Sequence, residues 1–294
     1  MIELHCHIDG SMRHETLVEL GEKYNVYIPH DLKFQKGMSL YDALSKFRTT
    51  LSCMQNPDDV KRVCEEICED FTGDYLELRF APQLHKGACV DEIIEAAIDG
   101  LDGRTHLILC GLYGEDPRIL NGLVDVARCY DKVVGIDLAG GPSKYHQWKL
   151  KDYAEPFCLA EKDGLGRTVH AAEGRSANEI MQAILFLKAQ RIGHGTTLLN
   201  NRMVLEMVKE RGVCIEACVT SNMHTGVIET ISDHPIKTWI KEQIPVAICA
   251  DNIYLSDIDT RREIIRVATQ CDLTASELSW CLASASNHKF CKNV

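Results

Sequence analysis

Two histidines, His5 and His7, stand one residue apart in the stretch IELHCHIDGS near the beginning of the chain, and Asp9 follows closely. Side chains alternate between the two faces of a β-strand, so both imidazoles point the same way if this stretch is a strand. Two imidazoles on one face can bind a metal ion, whereas a lone pair of this kind more often marks the solvent face of an edge strand. The pair therefore predicts a metal site only if other parts of the chain supply further ligands.

Further residues of ligand type occur at the ends of other apolar stretches. His170 lies in RTVHA, His194 in QRIGHG and Asp251 in VAICAD. If these stretches are parallel strands of one barrel, their carboxyl ends meet at one mouth, where the active sites of such barrels lie. Imidazole nitrogens and carboxylate oxygens without thiolates favour Zn²⁺ and are also compatible with Fe²⁺, Co²⁺ or Mn²⁺. We therefore predict one such ion per chain at this mouth.

The elements that would position these residues are short apolar stretches rich in β-branched residues. Eight of them are predicted as strands, at 2–8, 75–81, 106–112, 133–139, 167–171, 190–195, 213–219 and 246–251. Strands that alternate with helices predict a parallel sheet of the α/β class. Their number favours a single (β/α)₈ TIM barrel, with a doubly wound open sheet as the alternative.

Helix start signals lie between these strands. Asn56 and Pro57 are typical of an N-cap and a first helical position. Ser176 with Glu179, and likewise the pair at 274 and 277, predict capping boxes, in which the first side chain and the acid three residues later each bond the other's backbone N–H.

The chain of 294 residues predicts one domain over residues 1–294, because no repeat, low-complexity tract or Pro/Gly-rich linker divides it. The segment from about 28 to 55 is too long for an ordinary connection between a strand and a helix. We expect a helical lid there, with Leu40, Leu44 and Phe47 as its apolar positions, although these side chains could equally be buried core.

Composition limits the classes of partner. Hydrophobic residues make up 45% of the chain and charged residues 26%, which is ordinary for a soluble protein. The formal net charge of −11 argues against sequence-independent binding to nucleic acid or to an anionic membrane surface. The 14 cysteines are scattered and no signal peptide is seen, so we expect reduced thiols and a cytoplasmic protein with a small-molecule partner. The oligomeric state is left open.

Taken together, the motifs resemble those of the adenosine deaminase family of metal-dependent amidohydrolases, in order along nearly the whole chain. ELHCHIDGS is similar to the family's HxHxDG motif, YLELRFAP to its second strand, GIDLAG to its loop at the substrate edge and HAAE to its HAGE motif. RIGHGT, CVTSN and ADN are similar to its histidine strand, its CPTSN stretch and its final aspartate motif.

The resemblance implies roles for individual residues. Metal ligands would be His5, His7, His170 and Asp251, and the bound ion would lower the pKa of a water molecule. Catalytic residues would be Glu173 as the proton donor to purine N1, His194 as a base beside the water, and Asp251. Substrate-binding residues would be His7, Asp9 at the ribose end, Gly140 through its N–H to N3, and Asn252 at N7.

The chain departs from the family pattern at a few positions. Ala172 replaces a glycine in HAAE, and Gly141 replaces an acidic residue, which would alter loop support rather than chemistry. Asn252 stands where the family has a second aspartate that contacts purine N7, so this departure bears on the identity of the substrate. Arg79 is expected to be a structural ion-pair partner below the site.

The predicted function is zinc-dependent hydrolytic deamination of a 6-aminopurine nucleoside, adenosine or a close relative. The alternatives are deamination or hydrolysis of another aminated heterocycle, such as adenine or a modified nucleoside, and a barrel that binds a ligand without catalysis. A nucleoside is favoured over a nucleotide, because the motif regions offer only Arg13 as a cation for a phosphate. The zinc deaminases of nucleic acids use an HxE and PCxxC arrangement, and the sequence contains neither half of it.

Overall fold

A computed structural model describes residues 1–290. Eight parallel strands pair in chain order to form a nearly closed barrel. The strands are β1 Ile2–His7, β2 Tyr75–Phe80, β3 Thr105–Leu112, β4 Val133–Ala139, β5 Gly166–Ala171, β6 Arg191–His194, β7 Cys214–Ala217 and β8 Val246–Ile248. All eight predicted strands are therefore confirmed, and with them the (β/α)₈ TIM barrel.

The barrel closes where β1 meets the chain just after β8. The N–H of His7 donates to the carbonyl of Asp251 over 2.8 Å, and the N–H of Asp251 donates to the carbonyl of His5 over 2.9 Å. These two bonds place the first and the last of the predicted ligands side by side, although they are about as far apart in sequence as the chain allows.

Helices surround the barrel and cover its strands, which are almost entirely buried. They are α1 His14–Tyr24, α2 Leu40–Cys53, α3 Pro57–Asp70, α4 Val90–Asp99, α5 Pro117–Ala127, α6 Ala154–Lys162, α7 Asn178–Phe186, α8 Arg202–Glu210, α9 Val219–His224, α10 Ile236–Lys241, α11 Thr260–Gln270 and α12 Ala275–Asn287. None of these helices is both long and apolar enough to cross a membrane. The cysteines within residues 1–290 are free thiols, as predicted.

The helix start signals were only partly correct. Thr274 and Glu277 form the predicted capping box at the start of α12. The box predicted at Ser176 and Glu179 is wrong, because α7 begins at Asn178 after a helical residue at the N-cap. The Glu179 carboxylate instead accepts a hydrogen bond from the backbone N–H of Ala172, over 2.8 Å. The Glu179 side chain therefore binds the backbone of Ala172 beside the barrel mouth and does not cap its own helix.

The segment 28–55 contains one helix and no strand. Helix α2 begins after Ser39, whose hydroxyl accepts a hydrogen bond from the N–H of Asp42 over 3.1 Å. The predicted apolar positions Leu40, Leu44 and Phe47 all line the cavity at the barrel mouth. Their placement is that of a cover over the cavity, and a lid function for the segment stays a prediction.

Candidate active site

A cavity of about 720 Å³ opens at the carboxyl ends of the strands. Its walls combine apolar side chains from α2 with polar residues from the strand ends. Of the predicted site residues, those that line it are His7, Asp9, Gly140, His170, Glu173, His194, Asp251 and Asn252. The ninth, His5, lies fully buried beside them. The structure thus brings the whole predicted set together.

Three imidazoles and one carboxylate converge at the bottom of this cavity. The Nε2 atom of His7 lies 3.2 Å from that of His170, and ligand atoms of His5, His7 and His170 all lie within 4.8 Å of one another. Asp251 Oδ1 lies 3.5 Å from His5 Nε2 and 3.6 Å from His7 Nε2. His5 Nε2 is buried and has no hydrogen-bond partner among residues 1–290. An atom left in this state between other ligand atoms fits a metal ion.

Two carboxylates fix the orientation of these imidazoles. His5 Nδ1 lies 2.7 Å from Glu216 Oε2, and His170 Nδ1 lies 3.1 Å from Asp137 Oδ2. Histidines that bind metals in proteins usually have such a partner on the second ring nitrogen, which leaves Nε2 for the ion. The sequence analysis missed both acids. Their signal was a charged residue within a strand whose other residues are apolar, in GIDLA and CIEA.

The predicted structural role of Arg79 agrees with its position below the site. Its guanidinium group bridges the two orienting acids, at 3.0 Å from Asp137 Oδ2 and 3.1 Å from Glu216 Oε2, and all three side chains are fully buried. Burial and Arg79 both act to lower the pKa of His5. The nearby carboxylates of Asp251 and Glu216 outweigh them and raise that pKa to about 9. The surroundings of His5 thus favour a bound positive charge.

His194 and Asp251 are held in unusual backbone conformations. Their φ angles are +68° and +67°, in the left-handed region that residues other than glycine seldom adopt. The Nδ1 atom of His194 lies 3.0 Å from the amide Nδ2 of Asn222. Burial lowers the pKa of His194 to about 4, which favours the neutral form of its imidazole.

Glu173 reaches the same cavity from the loop after β5. Its side chain is only 4% exposed, and Oε1 accepts a hydrogen bond from the hydroxyl of Thr225 over 3.1 Å. The same oxygen lies 4.0 Å from Nδ1 of His194. Ala172, in the left-handed region at φ +57°, turns the chain from the strand into this loop. This conformation gives a physical reason for the glycine that the family has at that position.

Asn252 and Asp9 each present a buried oxygen without a hydrogen-bond partner in the described part of the chain. The Asn252 side chain packs on Gly10 so closely that a Cβ there would lie 2.0 Å from Oδ1. The Asn252 oxygen is thus turned toward Gly10, and the residue is part of the cavity lining. Burial raises the pKa of Asp9 to about 7.

The cations near the site are not those expected. Arg13 is engaged on the outside of the barrel, where its guanidinium lies 2.8 Å from Asp70 and 2.9 Å from Glu69. Arg48 of α2 does line the cavity, together with His146. The sequence analysis missed Arg48, because it stands outside every recognised motif.

Comparison with known sequences extends over almost all of the chain. A family model described as adenosine deaminase matches residues 1–293. An adenosine deaminase of Clostridium botulinum is 33% identical over an alignment of 299 residues that covers 94% of this chain and 89% of that protein. An adenosine deaminase of Clostridium kluyveri is 35% identical over an alignment of 284 residues that covers 89% of this chain and 81% of that protein.

Solved structures share the same barrel. An adenine deaminase from Arthrobacter aurescens superposes with a TM-score of 0.88 at 18% identity, over 99% of this chain and 94% of that one. Arabidopsis ADAL, solved with IMP, superposes with a TM-score of 0.85 at 26% identity, over 99% of this chain and 92% of that one. An amidohydrolase from Burkholderia ambifaria with bound Zn superposes with a TM-score of 0.86 at 18% identity, over 99% of this chain and 86% of that one. At 18% identity the likeness shows the fold alone.

Proposed function

Since this chain belongs to the adenosine deaminase family, we propose that it hydrolytically deaminates a 6-aminopurine nucleoside, adenosine or a close relative, to the 6-oxo nucleoside and ammonia. The observation that carries the proposal is the convergence of His5, His7, His170 and Asp251 at the bottom of a cavity that Glu173 also lines. A barrel that only binds a ligand has no need to hold a buried acid beside such a cluster.

The proposed metal is zinc. His5, His7 and His170 would hold it through Nε2, and Asp251 through a carboxylate oxygen. Nitrogen and oxygen ligands suit this ion, and the Burkholderia neighbour contains Zn. When bound, the ion would supply Lewis acidity that lowers the pKa of a water molecule toward neutrality.

The remaining steps follow from the positions of the chain's own side chains. Glu173 would donate a proton to purine N1, which makes C6 electrophilic. His194 would accept a proton from the attacking water, as a neutral buried imidazole can. The backbone N–H of Gly140 would hold N3, and the proton on His194 would then pass to the departing amine. The water oxygen ends on C6 as the 6-oxo group, its second proton returns to Glu173 and restores the acid, and nitrogen leaves as ammonia.

A 5′-nucleotide is the second candidate substrate. It is favoured by Arg48 in the cavity wall and by the neighbour solved with IMP. The nucleoside is the first candidate because Asp9 presents a buried oxygen with no hydrogen-bond partner within residues 1–290, which suits a ribose hydroxyl. An ionised carboxylate there would repel a phosphate.

We expect adenosine to be deaminated with a higher kcat/KM than adenine, AMP or N6-methyl-AMP. Ammonia release from each compound by the purified protein, at equal concentrations, provides the measurement. Asp9→Asn should reduce the difference in kcat/KM between adenosine and AMP. Arg48→Ala should leave adenosine turnover unchanged. Preferential turnover of AMP that depends on Arg48 would favour the nucleotide, and no ammonia from any aminopurine would exclude the proposed function.

We expect 7-deazaadenosine to be a poorer substrate than adenosine because of Asn252. The amide nitrogen would donate to N7, and an analogue that lacks N7 leaves this donor unpaired in a closed site. The cost is roughly 1–3 kcal/mol, or about 5- to 150-fold in kcat/KM. The comparison is made in the wild type and in Asn252→Ala, where the two substrates should become similar, with Asn252→Asp as the matched control. Equal turnover of both compounds by the wild type would mean that the N7 contact does not exist.

A further inference from the structure

One side chain, Arg175, lies beside a position where the chain departs from the family pattern. The position is Gly141, where the family has an acid. A Cβ at Gly141 would lie 2.8 Å from Nη1 of Arg175 and 3.0 Å from its Cζ. The guanidinium group therefore rests against this glycine, in the space that a side chain at 141 would need. Any larger residue there displaces Arg175.

The same guanidinium group holds the backbone around Glu173. Its Nη1 donates to the carbonyl oxygen of Glu173 over 3.3 Å, and its Nε lies 3.1 Å from both carboxylate oxygens of Glu179. Glu179 in turn accepts from the N–H of Ala172 over 2.8 Å. Arg175 and Glu179 thus form a clamp. Glu179 binds the N–H of Ala172, one residue before Glu173, and Arg175 binds the carbonyl oxygen of Glu173 itself.

This clamp acts on a segment whose backbone conformation is energetically unfavourable. Ala172 is in the left-handed region at φ +57°, where an alanine is less stable than the glycine of the family. The strain favours other backbone conformations of this residue, and each of them would move Glu173. The bonds that Glu179 and Arg175 make on either side select the one conformation in which the carboxylate enters the cavity.

We propose that Arg175 is a positioning residue, which fixes the spacing between the Glu173 loop and the Gly140–Gly141 turn. The inference rests on the proposed function, in which Glu173 faces N1 and Gly140 faces N3. Both atoms belong to one ring of the purine, so the two segments must keep a set distance. A guanidinium group suits this task, because its fork can bond Glu179 and the Glu173 carbonyl at once, which an ammonium on a flexible stem does poorly.

Steady-state kinetics with adenosine and the metal-loaded enzyme tests the proposal. Arg175→Ala should lower kcat by roughly 10- to 100-fold, the scale expected when a proton donor is displaced by up to an ångström, with a smaller change in KM. Bound metal should be unchanged. Millimolar guanidinium chloride should restore part of the lost kcat, and equal sodium chloride should not. Arg202→Ala, at an exposed arginine of α8, is the matched control and should behave as the wild type.

A double-mutant cycle tests the contact with Gly141. Gly141→Ala should lower kcat in the wild type by displacing the guanidinium group, but should change kcat by less than about 2-fold in the Arg175→Ala background, because the residue it displaces is gone. Equal losses in both backgrounds would overturn the proposal. If Arg175→Ala does not fold, Arg175→Met, which lacks the guanidinium group that rests against Gly141, takes its place in the cycle.

Hydrogen exchange separates this proposal from the proposed function, because it needs no activity. The amides of residues 172–175 should exchange faster in Arg175→Ala than in the wild type, while those of β5 stay protected. Unchanged exchange at 172–175 would refute the clamp even if the enzyme deaminates adenosine. Faster exchange with a wild type that releases no ammonia from any aminopurine would support the clamp and refute the proposed reaction.

Discussion

His5→Ala is expected to lose both the bound metal and the deaminase activity. His5 is fully buried, its Nδ1 is bonded to Glu216, and its Nε2 has no hydrogen-bond partner within residues 1–290. The substitution removes one of the four proposed ligands and leaves Glu216 without its imidazole partner. Metal affinity should fall by more than about 100-fold, since losing a group that merely orients a ligand already costs 10- to 100-fold. Elemental analysis and ammonia release, measured on the same preparation, provide the test.

Two further variants give this prediction its controls. Asp251→Ala removes another ligand from the opposite end of the chain and should give the same result. His30→Ala makes the same chemical change at an exposed histidine that does not line the cavity and should keep metal and activity. Full metal occupancy in both His5→Ala and Asp251→Ala would show that the cluster is not the metal site.

Glu173→Gln is expected to keep the metal and lose turnover. The glutamine has nearly the same shape and can keep the contact with Thr225, so the fold of the loop should persist. It cannot transfer a proton to N1, and deleting a general acid typically costs 10²- to 10⁴-fold in kcat. The measurement is kcat for adenosine at saturating substrate, beside metal content and thermal unfolding of the same variant.

The matched control changes the partner of the carboxylate and leaves the acid in place. Thr225→Val removes the hydroxyl that donates to Oε1 over 3.1 Å and should cost far less than Glu173→Gln. If Glu173→Gln turned over adenosine at a near-normal rate, the proton donor would have to be another group. If it lost the metal as well, its role would be structural and the assignment would fail.

The sequence was sufficient for the barrel and for the residues at its mouth. Periodicity located the strands, and parallel strands deliver residues such as His170 and His194 to one end irrespective of their separation in the chain. The ends of the strands were predicted less accurately, because the backbone can remain extended after its hydrogen bonds to the neighbouring strand have ended. The last strand was predicted to reach Asp251, but β8 ends at Ile248, and Asp251 pairs with β1 alone.

Residues that act through others were harder to find. Asp137 and Glu216 lie inside apolar strands, where a charge is expensive to bury unless a partner exists, and that cost was a usable signal. Glu179 was assigned to a helix cap because the local spacing fits one. Its actual partner, the N–H of Ala172, is exposed by a left-handed turn, and no local pattern in the sequence reports such a φ angle.

The chain of buried ion pairs under the site has a consequence for the charge balance of the barrel. Arg79 pairs with Asp137 and Glu216, Arg191 pairs with Glu77 and Glu216, and the Asp251 carboxylate lies beside His5, which makes four acids and two guanidinium groups. Two negative charges are therefore left over among these six groups, and an uncompensated charge in the interior is strongly unfavourable. One divalent cation would balance this set. The ion would thus be a counterion of the folded barrel as well as a reagent. Binding of the ion would therefore stabilise the folded barrel at the same time as it completes the site.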